Sequence, residues 1–238
     1  MNSYKLFSLG DQAIVVEFGN VIDEKVNDRV ITFFNYINAN PFTGFIEAVP
    51  AYSTVTVFYN LGIIKKNIEV NETVLTWVEN TLHHILPFIK EIKESESRLI
   101  EIPVCYDDEY APDLRWVADI KGITAEEVIQ SHTSKTYRVY MMGFLPGFAY
   151  MGEVNDNIDV PRKTNPRIKI EAGSVGIAGK QTGIYPLASP GGWQIIGRTA
   201  WRLFDPGKTE QSVLQSGDRV RFYPISQETY LAQLNGYK

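Results

Sequence analysis

Ten of the eighteen glycines in this 238-residue chain fall between Gly143 and Gly197, together with five of its twelve prolines. Such density forbids a long helix there and demands turns, bulges and close backbone approaches. Beyond Gly143 no long helical periodicity is visible. Short β-prone pieces (Ile168–Ile170, Gly173–Ile177, Gln194–Ile196, Trp201–Phe204 and Arg219–Tyr223) alternate with Gly/Pro turns. That spacing predicts a β-barrel or a folded-over sheet. The stretch is also basic. Between Val160 and Ala200 stand Arg162, Lys163, Arg167, Lys169, Lys180 and Arg198 against the single acid Glu171, in a chain whose net charge is −5. A cationic surface shaped by glycines inside an acidic protein is a candidate anion site.

The first half reads differently. Ala13–Phe18 is strand-like, and Val26, Val30, Phe33, Phe34 and Ile37 then recur at helical spacing up to Asn40-Pro41. Two strand-like runs follow, Phe45–Val49 and Thr54–Tyr59. A second helix has Val74, Val78, Leu82, Ile85 and Ile89 on one face, with Pro87 expected to end or kink it. The order β-α-β-β-α suits a small α+β sandwich. The polar run Lys90–Arg98 is the best boundary, so a first domain is expected at about 1–92 and a second at 93–238. The second opens with the strand Leu99–Tyr106. Two short helices come next, one between Pro112 and Gly122 and one with a Thr124–Glu127 capping box. The strand Tyr137–Met142 follows.

Composition narrows the function. The acidic balance argues against general nucleic-acid binding. No segment reaches the ~18 apolar residues of a membrane span, and Asp11 interrupts the N-terminal apolar run before it reaches signal-peptide length. A cytoplasmic protein is the expectation. The single cysteine, Cys105, excludes an intrachain disulfide and reads as a buried thiol. His83 and His84 are adjacent, and no H-x-x-x-H or H-x-H is present, so no metal site is expected.

Several motifs compete for the chemistry. Gly173–Gln181 resembles a phosphate loop, but five residues instead of four separate Gly173 from Gly179-Lys180, Gln181 replaces the hydroxyl residue, and Pro186 interrupts any following helix. These glycines are better read as turn and bulge positions. Arg162 and Arg167 each follow a proline five residues apart, a pattern that fits an anion fork or ordinary solvated surface. Gln181, Thr182, Tyr185, Ser189, Trp193 and Gln194 have the mix of aromatic wall and polar groups of a small-molecule pocket, although Tyr185 and Trp193 equally suit barrel core. Ser189 lacks the G-x-S-x-G elbow of a serine hydrolase. His132 ends a helix and reads as a charge partner of its C-terminus or as a catalytic group. The uncharged loop Gly143–Tyr150 offers Phe144, Phe148 and Tyr150 for core packing or for docking a partner.

Taken together, GFLPGFAYMG from Gly143, PRKTNPR from Pro161, the block Ala172–Thr199 and LFDP from Leu203 resemble the allophanate hydrolase subunit 1 family over essentially the whole chain. The resemblance implies an α+β protein, with a ferredoxin-like N-terminal domain followed by a cyclophilin-like β-barrel. It implies a non-autonomous enzyme subunit in ATP-driven opening of the 5-oxoproline lactam to L-glutamate, working with the C and A subunits of 5-oxoprolinase. Because the chain has no recognisable phosphate loop of its own, ATP, with Mg, is expected at a site shared with the C subunit. Two alternatives come with the family: inhibition of a sensor histidine kinase by direct binding, and a carboxyltransferase-like role on urea or a similar amide. By motif, the catalytic candidates are Arg162, Arg167, Gln181, Tyr185, Arg198 and His132. Thr182, Ser189, Gly191, Gly192 and Trp193 are candidates for binding substrate or nucleotide, and Phe144, Phe148 and Tyr150 for binding a partner. Lys180 departs from the pattern and drops out as a catalytic candidate. Opening a resonance-stabilised amide needs preorganised donors for developing negative charge, which arginines and backbone amides supply.

Overall fold

The computed structural model describes residues 4–91 and 97–236. The chain divides into two units, Met1–Glu96 and Ser97–Lys238. The boundary expected between residues 92 and 93 lies outside the described residues. Among those residues no helix is long and apolar enough to cross a membrane.

The N-terminal unit is a four-stranded antiparallel sheet. Its strands β1 (Lys5–Ser8), β2 (Ala13–Glu17), β3 (Phe45–Pro50) and β4 (Thr54–Tyr59) lie in the order β1-β2-β4-β3. Helix α1 (Glu24–Ala39) starts where the Asp23 carboxylate accepts from the Val26 amide. A short helix α2 (Leu61–Lys65) was not legible from periodicity. Helix α3 (Val74–Ile85), capped by Thr73, stops two residues before Pro87, so Ile89 lies in a 3₁₀ turn, Phe88–Glu91, instead of on the helix. Alternate residues of β2 and β4 (Ile14, Val16, Val55, Val57) point to one face. There they pack against Val30, Phe33 and Ile37 of α1 and Val78 and Leu82 of α3. Strand β1 was missed because it is short and mostly exposed, which leaves no clear alternation to read.

The C-terminal unit holds a closed seven-stranded barrel. Its members are β5 (Leu99–Cys105), β6 (Thr136–Met142), β7 (Ala149–Gly152), β9 (Ser174–Ala178), β10 (Gln181–Ile184), β12 (Gln194–Arg198) and β13 (Arg219–Ile225). They follow round as β10-β7-β6-β13-β5-β12-β9. The β13–β5 pair is parallel and the other paired strands antiparallel. A separate ribbon joins β8 (Arg167–Ile170) to β11 (Ser189–Gly191). Helix α4 (Leu114–Lys121) ends at Gly122, whose φ of 66° gives the left-handed cap. Helix α5 (Ala125–Thr133) carries the expected Thr124–Glu127 capping box.

Two expectations fail here. Trp201–Phe204 is no strand; Phe204 makes only an isolated bridge to Ser212. A third helix of this unit, α6 (Gln227–Gly236), follows Ser226, whose hydroxyl accepts from the Thr229 amide. It buries only Tyr230, so it has no apolar stripe to detect.

Gly173 illustrates what the glycines do. Its φ is 82°, and a Cβ there would lie 2.1 Å from the Thr199 carbonyl oxygen. Its own amide donates to the Tyr185 carbonyl, while its carbonyl accepts from the Thr199 amide. A side chain would break that three-strand junction.

Candidate functional site

On the barrel unit, four aromatic rings meet edge to face. Phe148 stands edge-on to Tyr150 at 4.9 Å, Tyr185 at 5.3 Å and Trp193 at 5.4 Å between ring centroids. Gly183 makes room for them: a Cβ there would come within 3.1 Å of both the Phe148 and Trp193 rings. Gly191 does the same for the tyrosine, since its Cβ would lie 2.4 Å from the Tyr185 hydroxyl oxygen. Phe144 covers one edge. Its backbone φ is 69°, an uncommon conformation for a bulky residue, and its ring stands exposed.

These rings form one wall of a pocket of about 310 Å³. Arg162, Lys163, Pro166 and Pro190 to Gly192 form the rest. The Arg162 guanidinium lies 6.0 Å from the centre of the Trp193 ring, and it has no carboxylate partner among the described residues. Burial pushes the Tyr185 hydroxyl up from its ordinary pKa, although the Trp193 amide and Arg162 pull the other way. The hydroxyl therefore stays protonated at neutral pH and can donate to a ligand. The pocket is an aromatic slot with a cation at its mouth, suited to a small flat molecule carrying a negative charge.

Arg162, Tyr185, Gly191, Gly192 and Trp193 meet here, and so do Phe144, Phe148 and Tyr150. The aromatic loop read as a docking surface is thus part of the pocket. Phe148 is fully buried and has no free face to offer a partner.

The other candidates lie elsewhere. Arg167 donates two hydrogen bonds of 2.7 Å to Asp113, a structural pairing that occupies its fork. Arg198 donates through Nε to the Ala172 carbonyl and, with Arg167, borders a separate hollow of about 140 Å³. Gln181 opens β10, opposite Gly152 and Ala178 and outside the pocket lining. The Ser189 hydroxyl donates to the Pro190 carbonyl. Lys180 is exposed and paired with Asp156. Gly173–Gln181 forms β9 and its turn, not a loop ahead of a helix. Cys105 is buried, and burial pushes its thiol up.

His132 and Thr182 form a sealed chain in the barrel core, away from the pocket lining. Thr182 donates to the Gly176 carbonyl at 3.1 Å and so accepts from His132 Nε2 at 2.9 Å. That leaves His132 Nδ1 to accept from the Tyr106 hydroxyl at 2.8 Å. Burial lowers the His132 pKa to about 3. The imidazole is therefore neutral, and neither role expected for it, helix-end cation or pocket catalyst, fits this position.

Two residues were not legible as site residues. Lys163 lines the pocket and appeared in the sequence only as part of a positive sum. Asp113 anchors the cationic loop, and the sequence marks it only by its place beside Pro112 near the start of a helix.

A family described as carboxyltransferase domain, subdomain C and D, matches residues 4–214. A Bacillus subtilis protein named as the B subunit of 5-oxoprolinase is 44% identical over 230 residues, which is 96% of this chain and 96% of that one. Its namesake in Escherichia coli O157:H7 is 37% identical, over 94% of this chain and 97% of the relative. Among solved structures, a conserved uncharacterized protein of Pyrococcus horikoshii is 41% identical, with 95% of this chain and all of that one covered at a TM-score of 0.55. The Kluyveromyces lactis urea carboxylase is 20% identical and matches 96% of this chain to 22% of its own, with a TM-score of 0.70, a likeness of fold.

Proposed function

This chain belongs to the family of carboxyltransferase domains, subdomain C and D, and on that premise we propose that it is the B subunit of an ATP-dependent 5-oxoprolinase. The observation that carries the proposal is the near full-length similarity to two bacterial proteins of that name. On this reading the N-terminal sheet is a ferredoxin-like domain with β1 as an added edge strand. The barrel is cyclophilin-like.

The pocket fits the substrate. 5-Oxoproline is a small five-membered lactam with one carboxylate. Its ring would lie against Trp193 and Tyr150, with the carboxylate at Arg162 and the lactam oxygen within reach of the Tyr185 hydroxyl. At about 310 Å³ the pocket is at the lower end of the range for ligand sites. It suits this acid better than a nucleotide. ATP with Mg would therefore bind on a surface that the C subunit completes. When bound, ATP supplies the driving force for opening the lactam. This chain's residues hold the acid and donate to its polarised oxygen while water supplies the oxygen of the new carboxylate as the C–N bond breaks.

The test is assembly of the chain with the A and C subunits, followed by assay of 5-oxoproline-dependent ATP hydrolysis. No turnover from the full set would sink the proposal. Within an active set, Arg162→Ala should raise the KM for 5-oxoproline by about 10- to 100-fold, the loss expected for a charge-assisted hydrogen bond. An unchanged KM would remove Arg162 from the site. A second reading, carboxyl transfer to urea or a similar amide, draws on the family's description. Turnover abolished by avidin would favour it, because carboxyl transfer of that kind runs through biotin.

A further inference from the structure

The pocket's mouth depends on a loop that runs between two strands and has little secondary structure of its own. The Pro161–Pro166 segment begins after Val160, whose carbonyl accepts from the Gly179 amide, and ends at β8. Between those points it is tied down by one side-chain and one backbone hydrogen bond. Gln194 donates through Nε2 to the Pro161 carbonyl at 3.0 Å, and the Lys163 amide donates to the Gly192 carbonyl at 2.7 Å.

Asp113 gathers the remaining ties. Its carboxylate accepts from both terminal nitrogens of Arg167 at 2.7 Å, from Lys163 Nζ at 3.1 Å and from the Ile195 amide at 2.6 Å. Its own amide donates back to the Ile195 carbonyl at 2.9 Å. An aspartate at the first position of a helix ordinarily caps that helix by accepting from an amide in its first turn. Asp113 occupies that position for α4 and makes no such bond. The carboxylate is buried, and its acceptor positions are spent on the loop and on β12.

We propose that Asp113 is a positioning residue: through Lys163 and Arg167 it clamps the Pro161–Arg167 segment to β12, and so holds Arg162 over Trp193 where a ligand's negative charge must bind. The inference rests on the pocket being the ligand site, as in the reading above. It adds that the affinity of the site is set by a carboxylate that never touches the ligand. The same clamp keeps Lys163 and Arg167 from acting as anion ligands, which leaves Arg162 as the pocket's selective charge.

Asp113→Asn tests this with little change of shape. An amide offers one acceptor oxygen where two are used, and turns a donor toward Arg167 or Lys163. Hydrogen–deuterium exchange on the full chain is the first measurement. Exchange of amides in 161–167 and 193–195 should accelerate at least about tenfold, with β6 and β13 unchanged, as for a local opening. In the enzyme assembled with the A and C subunits, the KM for 5-oxoproline should rise at least about fivefold with kcat within about twofold, the pattern of lost uniform binding. Unchanged exchange in 161–167, acceleration spread through the barrel, or a loosened loop with an unchanged KM would each overturn the proposal. Should the Asn variant not fold, Arg167→Gln removes the two Arg167–Asp113 bonds from outside the pocket, and it must give the same local signature. If the wild-type assembly has no turnover, the functional reading fails by itself and the exchange measurement alone decides the clamp.

Discussion

Acidification should destabilise the barrel through His132. In the folded chain the imidazole is fully buried between Tyr106 and Thr182, and its pKa is lowered to about 3 by burial. Unfolded, it returns to about 6.5. The native value is the depressed one, so the unfolded state binds the proton first. Stability is complete above pH 6.5 and is lost as pH falls through the window from 6.5 to 3. Linkage between these two values gives a loss of about 2 kcal/mol between pH 7 and pH 5. Asp113 contributes little to that interval. Burial pushes its carboxyl up, but hydrogen bonds from Arg167, the Ile195 amide and Lys163 outweigh it, so the stability it contributes is lost only as pH falls from the ordinary carboxylate range downward, below about pH 5. The assay is urea unfolding at both pH values for the parent chain and His132→Gln. The chain has two units, and a single transition cannot be assumed. A Trp77→Phe background leaves Trp116, Trp193 and Trp201, all in the barrel unit, as the fluorescent probes. The other histidines, His83 and His84, belong to the N-terminal unit. The parent should lose about 2 kcal/mol more than the Gln variant on going to pH 5. Parallel losses in the two proteins would refute the buried neutral imidazole.

Two substitutions probe the backbone. Gly173→Ala places a Cβ 2.1 Å from the Thr199 carbonyl at a φ of 82° and should cost about 3 kcal/mol or more, from overpacking and backbone strain together. A thermal unfolding shift worth less than about 1 kcal/mol would contradict that geometry. At Phe144, where φ is 69°, the usual ranking inverts: the Gly variant should exceed the Ala variant in stability by about 1 kcal/mol. Equal urea midpoints would show that the left-handed backbone is not maintained in solution.

Local rules carried much of the fold. Asn40-Pro41 and Pro87 bound two helices, the Thr124–Glu127 box and Gly122 bound two more, and the alternation in Thr54–Tyr59 marked the buried face of β4. All these depend on residues a few positions apart, so a linear reading finds them. Strands β7 and β10 escaped. Ala149–Gly152 and Gln181–Ile184 have little strand propensity of their own and become strands by pairing with each other and with β6 and β9.

The site divides along the same line. The sequence by itself determined that a glycine-rich, cationic and aromatic segment would supply the pocket, because glycine spacing, ring content and charge are properties of the residues. Only the tertiary structure decided which residues meet. It put Phe148 and Trp193 across Gly183, freed Arg162 while occupying Arg167, and sealed His132 in the core. Asp113 lies 50 residues from Lys163 and 82 from Ile195 along the chain. The fate of a charge depends on which partner and how much water are left around it once the chain has closed, and sequence distance carries no record of either.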